Sequence, residues 1–205
     1  MPEEPKGDWI QTYTGKTFYP LSPSPEDIDI KDIAHALSML CRYNGHTTEF
    51  YSVAEHSQVM SLMVDHKYAL EALLHDAAEA YVSDVARPVK PMLSGFKEIE
   101  NRVDGVIREK FSVGPRTDAV KFADLRMLAT ERNQVMRKTD CEWGCIEGVE
   151  PFDVTLGKWG PTYAEAAFLQ RFKVLTAKYV TLHTPCERQP GDPITKGMPF
   201  TVRIR

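Results

Sequence analysis

The stretch ALEALLHDAAEAYVSDVARPVK, residues 69–90, decides how the rest of the chain is read. Its alanines and leucines favour helix, and the expected helix covers about residues 68–83 and stops before Pro88. Yet His75, Asp76, Glu79 and Asp84 run through its apolar middle and end. A buried carboxylate is costly without a hydrogen-bond donor, a cation or a metal. Partners for these groups must therefore come from neighbouring elements.

Upstream, Ser52 opens the helix SVAEHSQVMSLMVDH, with Glu55 at the capping-box position. His56 shares a stripe with Val53, Val59, Met60 and Met63, so its imidazole is expected to point inward. Taken alone it reads as a hydrogen-bonded core histidine. Downstream, a helix that begins after Thr117 or Asp118 and runs through AVKFADLRMLATERNQVM puts Asp124 on its inward face with Val120, Met127 and Leu128. His75 and Asp76 leave their helix roughly 100° apart, close enough to converge on one ion. Two imidazoles and two carboxylates from three helices form a nitrogen and oxygen set that suits Mn²⁺, Co²⁺, Fe²⁺ or Zn²⁺. A core of facing helices is a usual place for such a site.

The remaining elements are also helical. Asp32 or a neighbour is expected to cap IAHALSMLCRY, which stops at Asn44-Gly45. FKEIENRVDGVIREKF lines up Ile99, Val103, Val106 and Ile107 and closes at Gly114-Pro115, and TYAEAAFLQRFKVLTAKYV follows Pro161. Residues 139–160, rich in glycine, are expected to form a long functional or partly mobile loop. The expected fold is all-α: an irregular proline-rich arm over residues 1–30 packed on the body, with YTGKTFY as a short strand or turn, then a helical bundle over 31–185. A loop-rich tail over 186–205 completes it.

At 205 residues the chain is long enough for one sizeable core. No apolar run approaches the roughly 18–20 residues of a membrane span, and the acidic start MPEEPKGDWIQ has no secretory h-region, so a cytosolic protein with no membrane partner is expected. A net charge of −4 argues against a stable nucleic-acid partner. The four cysteines lie in no paired framework, which suits a reducing compartment, and CEWGC lacks the second pair that a structural zinc needs.

AEHS at 54–57, LLHDAAEAYVSDVARPVK at 73–90 and VKFADLRMLATE at 120–131 resemble the H…HD…D signature of HD-domain metal-dependent phosphohydrolases. The resemblance spans about residues 31–138 and points to the small bacterial and phage branch of deoxynucleoside 5′-monophosphatases and deoxynucleoside triphosphohydrolases. It implies an HD-type helical bundle in which His56, His75, Asp76 and Asp124 bind one divalent transition metal (Co²⁺, Mn²⁺ or Zn²⁺, with Fe²⁺ also compatible). Further metal ions can enter with substrate.

The resemblance further implies that Glu79 exchanges a proton with the attacking water or the leaving 5′-oxygen, and that Asp84 orients the nucleophile or touches the sugar. Arg42 is implied as a phosphate contact, Tyr43 as a contact to sugar or base, and Lys90 as a second phosphate candidate. Arg126, Glu131 and His35 are further candidates for the pocket wall.

The expected partner is a small (deoxy)nucleotide, and the resemblance favours a homo-oligomer in the cytoplasm, the host's for a phage-encoded member. The expected activity is foremost that of a deoxynucleoside 5′-monophosphatase, with a dATP-type triphosphohydrolase as the alternative. The N-terminal arm and the loop CEWGCIEGVEPF depart from the best-known monophosphatases. A cyclic- or signalling-nucleotide phosphodiesterase fits less well, because the six histidines leave no obvious second metal set. A non-catalytic helical module with a structural polar cluster is the remaining reading.

Overall fold

Asp29 accepts the backbone N–H of Lys31 at 3.0 Å and caps the first helix, α1 (Ile30–Met39). Asp32, the nearer candidate for that cap, is buried in the first turn and accepts the Thr14 N–H at 2.6 Å and the Thr14 hydroxyl at 2.9 Å. That pair of bonds ties the N-terminal arm to the bundle. The arm contains a short antiparallel hairpin, β1 (Ile10–Gln11) and β2 (Thr17–Phe18), and buries Phe18 and Ile28 completely in the core. The helix expected to run through Tyr43 ends at Met39. Beyond it a 3₁₀ turn, Arg42–Gly45, carries Tyr43 and Asn44 in the left-handed region at φ 55° and 52°.

This computed structural model describes residues 7–177. The chain divides between Leu175 and Thr176 into two compact units, and the helical bundle belongs to the first. The tail expected from residue 186 lies outside the described residues, as do the last residues of the final expected helix.

The second helix, α2 (Val53–Met63), is the centre of the fold. It packs against α1, α3 (Ala69–Leu74) and α6 (Asp118–Gln134). Buried on nearly every side, it carries Ala54, Ser57 and Ser61 at close-approach positions, and both of its ionisable residues, Glu55 and His56, are fully inaccessible. One apolar cluster joins Ile33, Leu37, Val53, Leu73, Ile107 and Phe168, and a second joins Tyr51, Met60, Ala72, Val120, Met127 and Phe152. The described chain is thus an all-α bundle with one two-stranded hairpin.

Residues 69–82 do not form one continuous helix. α3 ends at Leu74, residues 75–78 are turns, and a short α4 (Glu79–Val82) packs on α1 and on α5 (Phe96–Phe111). Two side-chain bonds explain the break. The His75 ring nitrogen Nδ1 bonds the Ala72 carbonyl at 2.8 Å, and Arg116 donates to the His75 carbonyl at 3.2 Å. With those acceptors engaged the backbone tightens to 3₁₀-type bonds, Ala77 to Leu74 at 3.1 Å and Glu79 to Asp76 at 3.0 Å. Ser83 at φ 71° ends α4 well before Pro88. Likewise α5 is closed by Ser112 at φ 53°, two residues before the expected Gly114.

The 139–160 loop is strapped along its length. α6 holds it through Arg126 to the carbonyls of Glu150 and Pro151, Thr130 to Phe152 N–H, and Gln134 to Val154 and Leu156. Ser52 caps α2 by accepting the Glu55 N–H at 3.1 Å, but the Glu55 carboxylate does not return to Ser52 as a full capping box would. It accepts the N–H groups of Gly157 at 2.7 Å, Lys158 at 2.8 Å and Trp159 at 2.6 Å. Gly157 is required there, since a Cβ at this position would meet the Trp159 indole at 1.9 Å. The Trp159 ring in turn packs against both apolar clusters, so Glu55 fixes the loop to the core. Glu55→Ala leaves three backbone donors without their acceptor and should lower the unfolding free energy by about 3 kcal/mol in denaturant titrations. A loss below about 0.5 kcal/mol would show the strap to be energetically idle.

Candidate metal centre

Helix α2 presents His56, the break after α3 presents His75 and Asp76, and α6 presents Asp124. Each imidazole is anchored from behind. His56 Nδ1 lies 2.6 Å from Glu131 Oε1, and His75 Nδ1 lies 2.8 Å from the Ala72 carbonyl. Neither partner can donate a proton when the carboxylate is ionised, so each ring carries a proton on Nδ1 and turns Nε2 toward the other ring. The two Nε2 atoms face each other at 3.2 Å. Two ring nitrogens at that separation need positive charge between them, either a proton on one ring or a metal ion in its place.

The carboxylates complete the arrangement. Asp124 Oδ1 lies 3.3 Å from His56 Nε2 and 3.9 Å from His75 Nε2, while Asp76 Oδ2 lies 3.1 Å from His75 Nε2 and 3.8 Å from His56 Nε2. Ligand atoms each about 2.1 Å from a single ion lie roughly 3.0–3.4 Å apart; the 3.1, 3.2 and 3.3 Å spacings match this, and the 3.8 and 3.9 Å spacings are longer. His56, His75 and Asp124 each offer a ligand atom within 4.8 Å of the others, and this group can hold a metal ion. One expectation needs correction. Periodicity puts Asp124 on a buried inward face, yet its side chain is 44% exposed. It lines a cleft together with His75, Asp76, Arg116, Thr117 and Lys121.

Glu131 organises the layer behind the cluster. Fully buried, it accepts from His56, from Arg42 Nε and NH2 at 3.1 Å each, and from the Tyr43 hydroxyl. Burial pushes its carboxyl up, but the Arg42 and His56 charges outweigh that and hold it below the usual carboxylate range. Burial and Arg42 push the His56 imidazole down; Glu131 and Asp124 outweigh them, and its pKa rises to about 9. Asp76 is likewise disfavoured by burial but held well below the usual range by His75, His56 and Arg42. The cluster therefore attracts positive charge at its centre.

The other predicted residues surround this core. Arg42 is buried and committed to Glu131, with NH1 3.6 Å from Asp76 Oδ2, so it reaches the cluster as part of a buried network rather than as a free phosphate hook. Glu79 is buried, its Oε2 without a hydrogen-bond partner among the described residues. Burial, with Asp76 and Asp84 nearby, drives its carboxyl well above the usual range. Asp84 is half-buried and also raised, mainly by burial. Lys90 bonds Glu100 at 2.8 Å and lies 3.7 Å from Glu79, so its charge faces Glu79. His35 pairs with Glu165 and stacks on Tyr13, and Arg126 serves the loop; neither joins the cluster.

The spacing of Asp124 and Glu131, seven residues apart on one helix, was the signal for the hub, because i and i+7 share a face. Glu100 carried no such signal, since its partner Lys90 sits in an irregular segment. Glu131→Gln keeps the shape of the hub but removes its charge. It should weaken divalent-metal binding, read by calorimetry on folded protein, by about 10–100-fold. Unchanged affinity would exclude the hub from metal binding.

No known family model matches the chain. It is 42% identical over 172 residues to the uncharacterized protein YfdR of Escherichia coli, an alignment covering 82% of this chain and 96% of YfdR. It is also 31% identical over 189 residues to an uncharacterized protein of Rhodobacter capsulatus, covering 83% of this chain and 96% of that protein. At that identity and coverage, the chain belongs to the same family as YfdR.

Proposed function

We propose that this protein is a divalent-metal-dependent phosphohydrolase of the HD-domain type that hydrolyses the 5′-phosphate ester of deoxynucleotides, foremost deoxynucleoside 5′-monophosphates. The observation that carries the reading is the pair of Nε2 atoms face to face at 3.2 Å, flanked by two carboxylates, with His75, Asp76 and Asp124 lining a cleft. Four ligands leave positions on a six-coordinate ion for water and substrate. When bound, such an ion supplies Lewis-acid polarisation of a phosphoryl oxygen and a water acidic enough to attack near neutral pH.

The chain's own residues supply the proton handling. Glu79, three residues after Asp76, has its carboxyl pushed well above the usual range by burial and by its acidic neighbours, which suits it to give a proton to the leaving 5′-oxygen. Lys90, at 3.7 Å, then stabilises the carboxylate left behind, and Asp84 stands in the same field to orient the incoming water. Arg42 NH1, 3.6 Å from Asp76 Oδ2, helps keep the Asp76 carboxylate ionised.

The pairing of the nearby cations favours a monophosphate. Arg42 is bound to Glu131, Lys90 to Glu100, Arg116 to Asp104 and Lys121 to Asp118. Three linked phosphates would have to draw Arg42, Lys90 and Arg116 away from these carboxylates, while the exposed Lys121–Asp118 pair yields easily.

Metal-loaded protein, given deoxynucleoside mono-, di- and triphosphates, should release deoxynucleoside and inorganic phosphate from the monophosphates. Glu79→Gln should retain metal and lose at least about 100-fold in kcat. Absence of turnover with Mn²⁺, Co²⁺ and Zn²⁺ across the panel would sink the proposal. Release of triphosphate with no monophosphate turnover would move it to the triphosphohydrolase reading.

A further inference from the structure

Glu71 is a buried carboxylate that lines the same cleft as His75 and Asp124, and the proton handling described above does not use it. Both of its oxygens turn to one residue. Oε1 accepts the backbone N–H of Thr117 at 2.7 Å, and Oε2 accepts the Thr117 hydroxyl at 2.8 Å. The group that can hold an ion, His56, His75 and Asp124, does not include Glu71. Burying the carboxylate costs free energy that the two bonds offset, so its place in the cleft wall is explained by what those bonds join.

They join the two elements that carry His75 and Asp124. Glu71 stands one helical turn before His75, whose own backbone is still helical at φ −64° and ψ −31°, so the two share a face of α3. Thr117 is the N-cap of α6, and its hydroxyl accepts the Val120 N–H at 3.3 Å while it donates to Glu71. Asp124 follows about two turns later on α6. α3 and α6 each pack on α2 but make little contact with each other, so the Glu71 bonds set the register of one against the other. Arg116, beside Thr117, donates to the His75 carbonyl at 3.2 Å and to Asp104 of α5 at 3.0 Å, which ties the same short connection to α5.

We infer that Glu71 is a positioning residue: through Thr117 it fixes α6 against α3 and so sets the separation of His75 and Asp124, 3.9 Å between Nε2 and Oδ1, on which capture of a divalent ion depends. The inference rests on the metal centre and not on the reaction proposed for it. Its physical basis is preorganisation. Ligands already held at their separation lose little freedom when an ion enters, whereas ligands on helices free to slide must be ordered by it.

The molecule carries its own control. Asp32 makes the same pair of bonds to Thr14, to the N–H at 2.6 Å and to the hydroxyl at 2.9 Å, and is also buried, but it joins the N-terminal arm to α1. Asp32→Ala and Glu71→Ala therefore remove like interactions, and only the second links two metal ligands.

The test is calorimetric titration of the folded proteins with Co²⁺, together with the visible absorption spectrum of the bound ion. Glu71→Ala and Thr117→Ala should bind Co²⁺ about 10–100-fold more weakly than wild type, with an altered spectrum. Thr117→Ser, which keeps both bonds, should recover most of the affinity, and Asp32→Ala should lose stability in denaturant while keeping wild-type affinity and spectrum. If Glu71→Ala does not fold, Thr117→Ala against Thr117→Ser decides. Wild-type affinity in Glu71→Ala or Thr117→Ala, an equal loss in Asp32→Ala, failure of Thr117→Ser to restore binding, or a wild type that binds no Co²⁺ would overturn the assignment. The expected differences in a protein that hydrolyses no nucleotide would uphold the positioning role and refute the phosphohydrolase reading alone.

Discussion

Two imidazole nitrogens meet at 3.2 Å where α2 faces the end of α3, with both ring protons drawn to the opposite sides by Glu131 and by the Ala72 carbonyl. This contact places demands on everything around it. The paired nitrogens need positive charge between them, and Asp124 stands close enough to complete with His56 and His75 a group that can hold a metal ion, with Asp76 Oδ2 3.1 Å from His75 Nε2. Glu131 must remain ionised while fully buried, which explains the Arg42 fork and the Tyr43 hydroxyl upon it. A carboxylate this deeply buried would otherwise take up a proton.

The same contact shapes the backbone. A regular helix through residues 69–82 would engage the Ala72 and His75 carbonyls in its own ladder. Here the His75 side chain takes the first and Arg116 takes the second. The chain tightens over the next turn and brings Asp76 beside the His75 ring while Glu79 remains buried in α4. α6 is the second frame. It carries Asp124 into the cleft, Glu131 into the layer behind, and Arg126, Thr130 and Gln134 against the 139–160 loop. Cluster and loop thus share one rigid support.

Much of this was legible in the residues. Periodicity located α2, α5 and α6 closely, because each has an apolar stripe and Ser52 and Thr117 are strong caps. His56, His75, Asp76 and Asp124 were drawn together by one physical point, polar groups on apolar faces, and the structure brings their side chains together. The break inside residues 69–82 was not legible, since propensity says helix and the departure depends on a side chain bonding its own backbone. The cap of α1 fell to the neighbour, Asp29, and not to Asp32, because Asp32 is engaged by Thr14, 18 residues away. Glu55 was misread for the same reason, its acceptors being directed at N–H groups about 100 residues downstream. Long-range backbone partners leave no periodic trace.

The most direct measurement of the central claim is X-ray absorption at the metal edge of protein reconstituted with one divalent ion. The account predicts two imidazole nitrogens and carboxylate oxygens in the first shell at about 2.0–2.2 Å, with one nitrogen lost in His56→Ala and one in His75→Ala. A first shell containing only oxygen, or one unchanged by both substitutions, would contradict it.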